Sequence, residues 1–299
     1  MKKKSKRTIA GGLVALGTVI YVALGTPGLD LGQNGADPDV PQTTQTTEAS
    51  ANTTNTKSTK TIGASSADIS SNLEIPAATG GRIVRHGAYV TSYNTETLIP
   101  DWVAYELTAE EASGRRDRGG TEFRMDPDLK GVTQAMREDY SGSGWTKGHM
   151  MPAADAATTS TTFAETFYFT NICPQNETLN AGDWQYLEKR VRSWAKRYGS
   201  VFVVTGPIVG TNKYGTIGER DVVIPDSFYK ALLVKREDGS YSAIAFVMDN
   251  DDERYMLKDC SMSINDLETL TGIDFFPGLD DRIEEKVEAS VKRSDWGIK

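Results

Sequence analysis

Two stretches of this chain carry side chains that could do chemistry together. Residues 142–153 read Gly-Ser-Gly-Trp-Thr-Lys-Gly-His-Met-Met-Pro-Ala, and residues 167–180 read Phe-Tyr-Phe-Thr-Asn-Ile-Cys-Pro-Gln-Asn-Glu-Thr-Leu-Asn. His149 is one of only two histidines. An unperturbed imidazole titrates near neutrality, so it can accept a proton at working pH. The glycine before it lets the backbone pass close to a substrate. Asn180 stands where a helical pattern starts, either as an oxygen donor for a hard cation or as an N-cap. Trp184, Glu188 and Arg192 come after it at four-residue steps, along one row of that helix. A base, an oxygen donor, a carboxylate and nearby cations are what activates water against an anionic centre. Each residue also has a plainer reading. A lone histidine is often a packed or surface group, and Glu188 with Arg192 makes an ordinary i,i+4 pair worth only about 0.2–0.5 kcal/mol. His86 has no comparable surroundings and reads as structural or exposed.

The elements that must position these groups emerge from the hydrophobic pattern. β-Branched and aromatic residues predict strands over 82–93, 100–107, 166–171, 200–205, 227–235 and 241–249, with turn signals between them. Leu187, Val191, Trp194, Ala195 and Tyr198 recur at three- and four-residue spacing, which predicts a helix over 181–198 with Gly199 as its C-cap. A second helix is predicted over 263–271, with Ile264, Leu267 and Leu270 as its apolar stripe. The fold class is therefore α+β: an antiparallel central sheet with flanking helices and long loops.

Ahead of this domain lie two different segments. Lys2, Lys3, Lys4, Lys6 and Arg7 precede an apolar run from Ile9 to about Leu24. That pattern predicts a signal peptide or signal anchor over 1–28, leaving the rest of the chain exported, in contact with the membrane if the segment is not cleaved. Residues 29–72 are rich in Thr, Ser and Asn and predict a flexible linker, because they offer little apolar area to bury. The folded domain spans 73–299.

The order and spacing of the motifs resemble the DNA/RNA non-specific endonucleases with a ββα-metal (His-Me) finger. The matching residues are Thr146-Lys147-Gly148-His149, then Asn171-Ile172-Cys173-Pro174-Gln175, then Leu179-Asn180. Trp184, Leu187-Glu188, Arg192, 204–207, Ile224-Pro225, 228–230 and 270–272 continue the similarity. The resemblance implies His149 as general base, Asn180 as the protein ligand of Mg²⁺ with Mn²⁺ as a substitute, and a catalytic set completed by Lys147, Asn171, Glu188 and Arg192. It implies Arg124 as a basic residue near the substrate phosphate, a position an ordinary surface arginine could equally fill. DNA and RNA are the implied substrates. Lys147 stands where the family has arginine, and Thr146 where it has aspartate. Lysine keeps the charge and loses the bidentate fork.

The net charge of −8 argues against nucleic acid as a partner unless a local patch of cations answers it. Lys189, Arg190, Arg192, Lys196 and Arg197, all on one predicted helix, are the patch the sequence offers. A catalytically inactive binding or surface protein of the same fold is the alternative reading. The two cysteines, Cys173 and Cys260, leave a disulfide and a pair of buried thiols both open.

Overall fold

The computed structural model describes residues 72–77 and 80–299. The predicted N-terminal segment and nearly all of the linker lie outside the described residues. Among those described, no helix is long and apolar enough to cross a membrane.

The strands in chain order are β1 (Arg82–Arg85), β2 (Val90–Asn94), β3 (Ile99–Thr108), β4 (Thr146–His149), β5 (Ile172–Gln175), β6 (Ser200–Ile208), β7 (Thr216–Ile217), β8 (Val222–Val223), β9 (Ser227–Lys235), β10 (Tyr241–Asp249) and β11 (Ser261–Met262). The helices are α1 (Ser160–Glu165), α2 (Glu177–Leu179), α3 (Gln185–Tyr198), α4 (Ile264–Thr271) and α5 (Asp281–Glu288). Seven strands form one sheet in the order β1-β2-β3-β6-β9-β10-β11, and every pair in it is antiparallel. Strands β4 and β5 form a separate two-stranded ribbon, as do β7 and β8. The architecture is the α+β arrangement expected from the sequence.

The sheet is buried on both faces because its central strands alternate between two cores. Along β9, Phe228, Leu232 and Val234 pack with Trp184, Leu187, Val191 and Trp194 of the helical segment that includes α3. The intervening Tyr229, Ala231 and Leu233 pack with Ile264 and Leu267 of α4 and with Phe275 and Phe276. Lys230 belongs by its register to the α3 face and is fully buried there, a costly place for an ammonium group unless charges oppose it.

Three elements differ from the expectations above. The strand predicted over 82–93 is a hairpin, broken at residues 86–89 where the His86 amide closes the turn onto the Tyr89 carbonyl at 2.8 Å. The strand predicted over 166–171 is a short 3₁₀ turn, Phe169–Asn171, and pairing starts only at Ile172. The buried Asn171 side chain bonds backbone on both sides of that turn, so local hydrogen bonding overrides the aromatic strand composition. The helix predicted from residue 181 starts earlier. Asn176 caps it, accepting from the Thr178 and Leu179 amides, and an open π-type turn, Asn180–Trp184, separates α2 from α3. Asn180 is therefore not an N-cap. Cys173 and Cys260 are both free and buried.

In β6, a Cβ on Gly206 would stand 2.5 Å from the Asp101 carbonyl oxygen and 2.7 Å from the Tyr229 hydroxyl. Backbone on one side cannot yield as a side chain would. Gly206→Ala is expected to lower stability by about 1–3 kcal/mol in a urea melt through overpacking; an unchanged midpoint would show that the sheet gives way there.

Candidate active site

His149 ends β4, a strand held to β5 in the register His149↔Ile172 and Thr146↔Gln175. Contacts made by the next two residues, Met150 and Met151, set its position. The Asn171 side chain accepts from the Met151 amide at 2.8 Å and donates to the Met151 carbonyl at 3.0 Å and the Thr166 carbonyl at 2.9 Å. The Met150 amide bonds the Asn171 carbonyl at 2.9 Å. The chain leaving His149 is thus pinned at successive residues. With its carboxamide oxygen and both amide hydrogens committed to backbone, Asn171 acts by positioning and has no donor left for a reacting group.

The imidazole lies among aromatic rings, edge-on to Phe167 at 5.1 Å and tilted on Phe123 at 5.4 Å. Its Nε2 is buried and has no hydrogen-bond partner among the described residues. Burial, with the nearby Arg118 guanidinium, pushes its pKa down to about 4, so the ring is neutral at physiological pH. Lys147 sits two residues away on the same side of the strand, its ammonium 5.7 Å from the Phe123 ring centre and 5.0 Å from that of Tyr140. Burial and the charges of Arg137 and Arg118 lower its pKa. Arg118 stacks over Phe123 at 5.2 Å and Phe167 at 5.1 Å. Arg124 lies over the Tyr168 ring at 4.7 Å. Arg118 and Lys147 thus share the Phe123 ring with His149, and Arg124 lies further out on Tyr168.

Asn180 meets β4 at its other end, donating from Nδ2 to the Thr146 hydroxyl at 3.0 Å. Its Oδ1 has no partner among the described residues. A carboxamide held by its nitrogen with its oxygen free fits the role of a neutral ligand to a divalent ion, which keeps several waters and takes substrate oxygens besides. The carboxamide of Gln175, under Gly148, is also buried without partners.

Beneath this surface lies a buried charge cluster. Arg192 donates to Asp155 at 2.7 Å, and Tyr105 donates to the other oxygen of Asp155 at 3.0 Å. Burial raises the Asp155 pKa, against the pull of Arg192. Burial likewise raises Glu188, opposed by Lys230, and lowers Lys230, opposed by Glu188 and Asp155. The Lys230 ammonium donates to the Thr205 hydroxyl at 3.1 Å and to the Met150 carbonyl at 3.4 Å, so it too supports the residue after His149.

The structure thus gathers Lys147 with His149, fastens Asn180 to their strand, and buries Asn171 behind them. It puts Arg192 and Glu188 in one network that also contains Asp155 and Lys230. Arg124 is at the exposed margin. Arg118, Asp155 and Lys230 were not singled out for chemistry in the sequence. Arg118 sits in a Gly-flanked basic run, 114–120, that shows no periodicity. The basic patch expected on the helix is largely spent on the protein itself: Arg190 donates to the Trp296 carbonyl, Arg192 to Asp155 and Arg197 to the Asp295 carbonyl. The cations that answer the acidic net charge are instead Arg118, Arg124 and Lys147, while Arg137 is paired with Glu122 at 3.2 Å.

Among the described residues, one His/Asp group has the spacing for an ion: His86, Asp126 and Asp128, with ligand atoms within 4.8 Å of one another. Its acceptors are already engaged. Asp126 takes hydrogen bonds from His86 at 2.8 Å, Thr170 at 2.6 Å and the Asp128 amide at 3.0 Å. His86, its side chain only 3% exposed, is a structural clamp, as its sequence surroundings implied.

Residues 69–282 match the family described as DNA/RNA non-specific endonuclease. The mitochondrial nuclease EXOG of Mus musculus is 35% identical over 210 residues, covering 66% of this chain and 57% of that protein. Nuclease C1 of Cunninghamella echinulata var. echinulata is 35% identical over 207 residues, 64% of this chain and 82% of its own length. Human mitochondrial endonuclease G is 32% identical over 203 residues, 64% of this chain and 68% of its own. A solved structure of an EndoG/EndoGI complex, concerned with EndoG inhibition, superposes with a TM-score of 0.63 at 28% identity, covering 68% of this chain and 88% of that one. This chain spans under three fifths of the mouse EXOG length.

Two measurements check the site. Arg192→Met leaves Asp155 buried without its counter-charge and is expected to cost about 3–5 kcal/mol in a urea melt; a loss confined to a few tenths would reduce the pair to a surface contact. The His149 pKa lies below its unfolded value, so its contribution to stability is full above pH 6.5 and is lost as pH falls towards about 4. Wild type should therefore lose stability relative to His149→Ala between pH 6.5 and 4, and a constant difference would show an imidazole open to water.

Proposed function

The chain belongs to the DNA/RNA non-specific endonuclease family, and from that premise we propose that it is a metal-dependent endonuclease hydrolysing phosphodiester bonds of DNA and RNA with little sequence preference. The observation that carries the reading is the neutral, unpartnered His149 Nε2 beside Arg118 and Lys147, on the strand to which Asn180 is tied.

A phosphodiester repels an incoming nucleophile, so hydrolysis needs a proton acceptor and positive charge at the phosphate. His149 is held in its basic form and receives a proton from water at Nε2. Lys147 and Arg118 hold the phosphate, and Arg124 takes a backbone phosphate further out. Asn180 Oδ1 would bind Mg²⁺, or Mn²⁺ in its place, and Glu188 would accept from a water on that ion. The ion, when bound, supplies charge that stabilises the developing phosphorane oxygens. Arg192, committed to Asp155, positions the helix and leaves the phosphate to Lys147 and Arg118. No part of this set reads a base edge, which favours cutting without sequence preference. The basic cluster and apolar run near the N-terminus support export of the catalytic domain, anchored to the membrane or released from it.

Plasmid DNA and single-stranded RNA should both be degraded with Mg²⁺ and be left intact with EDTA. His149→Ala is expected to slow both by about 10²–10⁴-fold, the usual contribution of a general base. Asn180→Ala should lose activity that a large excess of Mg²⁺ partly restores. A fully active His149→Ala protein, or a wild type that leaves both substrates whole with Mg²⁺ and with Mn²⁺, would end the proposal.

A further inference from the structure

A cleft of about 510 Å³ opens beside the π-type turn that carries Asn180. Gly182 and Asp183 form one wall, and Tyr186, Arg190, Arg254, Met256 and Lys258 are among the residues that complete it. Its chemistry is unlike that of the other clefts. Arg190, Arg254, Lys258 and Lys299 line it together with Tyr186 and Met256, and Asp183, its only carboxylate side chain, is already paired with Arg254. The Arg254 guanidinium forks onto Asp183 with bonds of 3.0 and 2.9 Å, and the Tyr255 amide adds a third at 2.7 Å. The acidic neighbours Asp251, Asp252 and Glu253 do not line the cleft.

Two features make it a reader of polyanions with flat groups. First, Arg254 remains 73% exposed at its side chain although its orientation is set by Asp183. Nη1 still has its donors free, so the guanidinium is preorganised and its ordering cost is largely met before a ligand arrives. Second, Tyr186 is 50% exposed and Met256 56% exposed. An exposed ring and a polarisable thioether flanked by cations form a stacking platform for unpaired bases. A purely apolar partner would leave Arg254 and Lys258 without counter-charge, and a simple anion would make no use of Tyr186.

Resting on the nuclease reading above, we propose that this cleft is a subsite for unpaired nucleotides, holding the substrate strand beside the phosphate being cut, by stacking on Tyr186 and by phosphate contacts to Arg254 and Lys258. Position supports the assignment. Gly182 and Asp183, which line the cleft, follow Asn180 by two and three residues in the same turn, so the cleft adjoins the segment that carries Asn180. Unpaired nucleotides are favoured over duplex, whose bases present no free faces to the ring.

The test uses the full chain carrying His149→Ala, so that ligand is bound and not cut. A fluorescent oligothymidylate of about 12 nucleotides, within the usual span of single-strand sites, is titrated by anisotropy at several salt concentrations. Adding Tyr186→Ala should weaken binding about tenfold, the size of a lost base–aromatic stack. Adding Lys258→Ala should flatten the salt dependence by about 0.7 in log–log slope, one phosphate contact on a single strand. Circular dichroism and melting confirm that the variants are folded. If the His149→Ala chain binds and both variants bind with the same affinity and slope, the subsite is wrong while the nuclease reading stands. If the tenfold loss is equal on a duplex of matched length, stacking of unpaired bases is refuted. If the His149→Ala chain binds no oligonucleotide with Mg²⁺ present, both proposals fall.

Discussion

The surface around His149 depends on one side chain whose polar atoms are all committed to backbone. Asn171 has no solvent exposure, and its carboxamide joins the chain after His149 to the turn before β5 through three backbone bonds. Each such bond is worth only about 1 kcal/mol net, but a buried backbone group left unpaired costs about 1–3 kcal/mol. The penalty for alternatives therefore exceeds the gain of the bonds themselves. That asymmetry explains how a loop running from β4 into a 3₁₀ turn can hold an imidazole as firmly as regular structure would. Lys230, reaching up from the sheet to the Met150 carbonyl, ties the same loop to the domain core.

Electrostatics has been arranged in two layers. The surface layer is cationic and aromatic, and keeps His149 neutral through burial and through Arg118. The lower layer is balanced: Asp155 and Glu188 against Arg192 and Lys230. Four charges in a low-dielectric region are tolerable only as compensated pairs, and the compensation removes Arg192 from the field felt by substrate. An acidic protein can in this way present a local positive surface without a basic helix face, because steering depends on the charges lining the site and not on the sum over the chain.

The central strands were readable because burial imposes a two-residue period that composition reveals: β9 and β10 match the predicted bounds 227–235 and 241–249. Helix α4 was readable from the spacing of Ile264 and Leu267, both buried, although Leu270 of the same stripe is exposed. The failures share a cause. At 166–171, aromatic residues suggested a strand, but Phe167 and Phe169 face His149 and the core around a turn governed by Asn171. At 82–93 a Gly-Ala pair hid a hairpin turn. In the candidate site, the placing of Lys147 and His149 on one strand with Asn180 tied to it was legible through motif order. Arg118 and Asp155 were not, because their roles arise from contacts across 49 and 37 residues that no local pattern encodes: Arg118 with Phe167, and Asp155 with Arg192.

The π-type turn is the least expected element, and its geometry gives it a reason to persist. In a regular α-helix each residue turns about 100°, so Glu188, eight positions after Asn180, would lie about 80° round the axis from it. The chain does not keep that relation: Gly182 stands at φ −107° and ψ −107°, outside the helical region, and kinks the segment between the two residues. Ahead of the kink, Asn180 reaches the Thr146 hydroxyl of β4. Such turns are disfavoured on their own, and here Asp183, inside the turn, is held from outside by Arg254 and the Tyr255 amide. The contacts from residues 254–255 therefore hold the kinked segment that carries Asn180. The same fork gives Arg254 its fixed orientation in the neighbouring cleft, so one interaction holds both the kinked segment and the wall of the cleft.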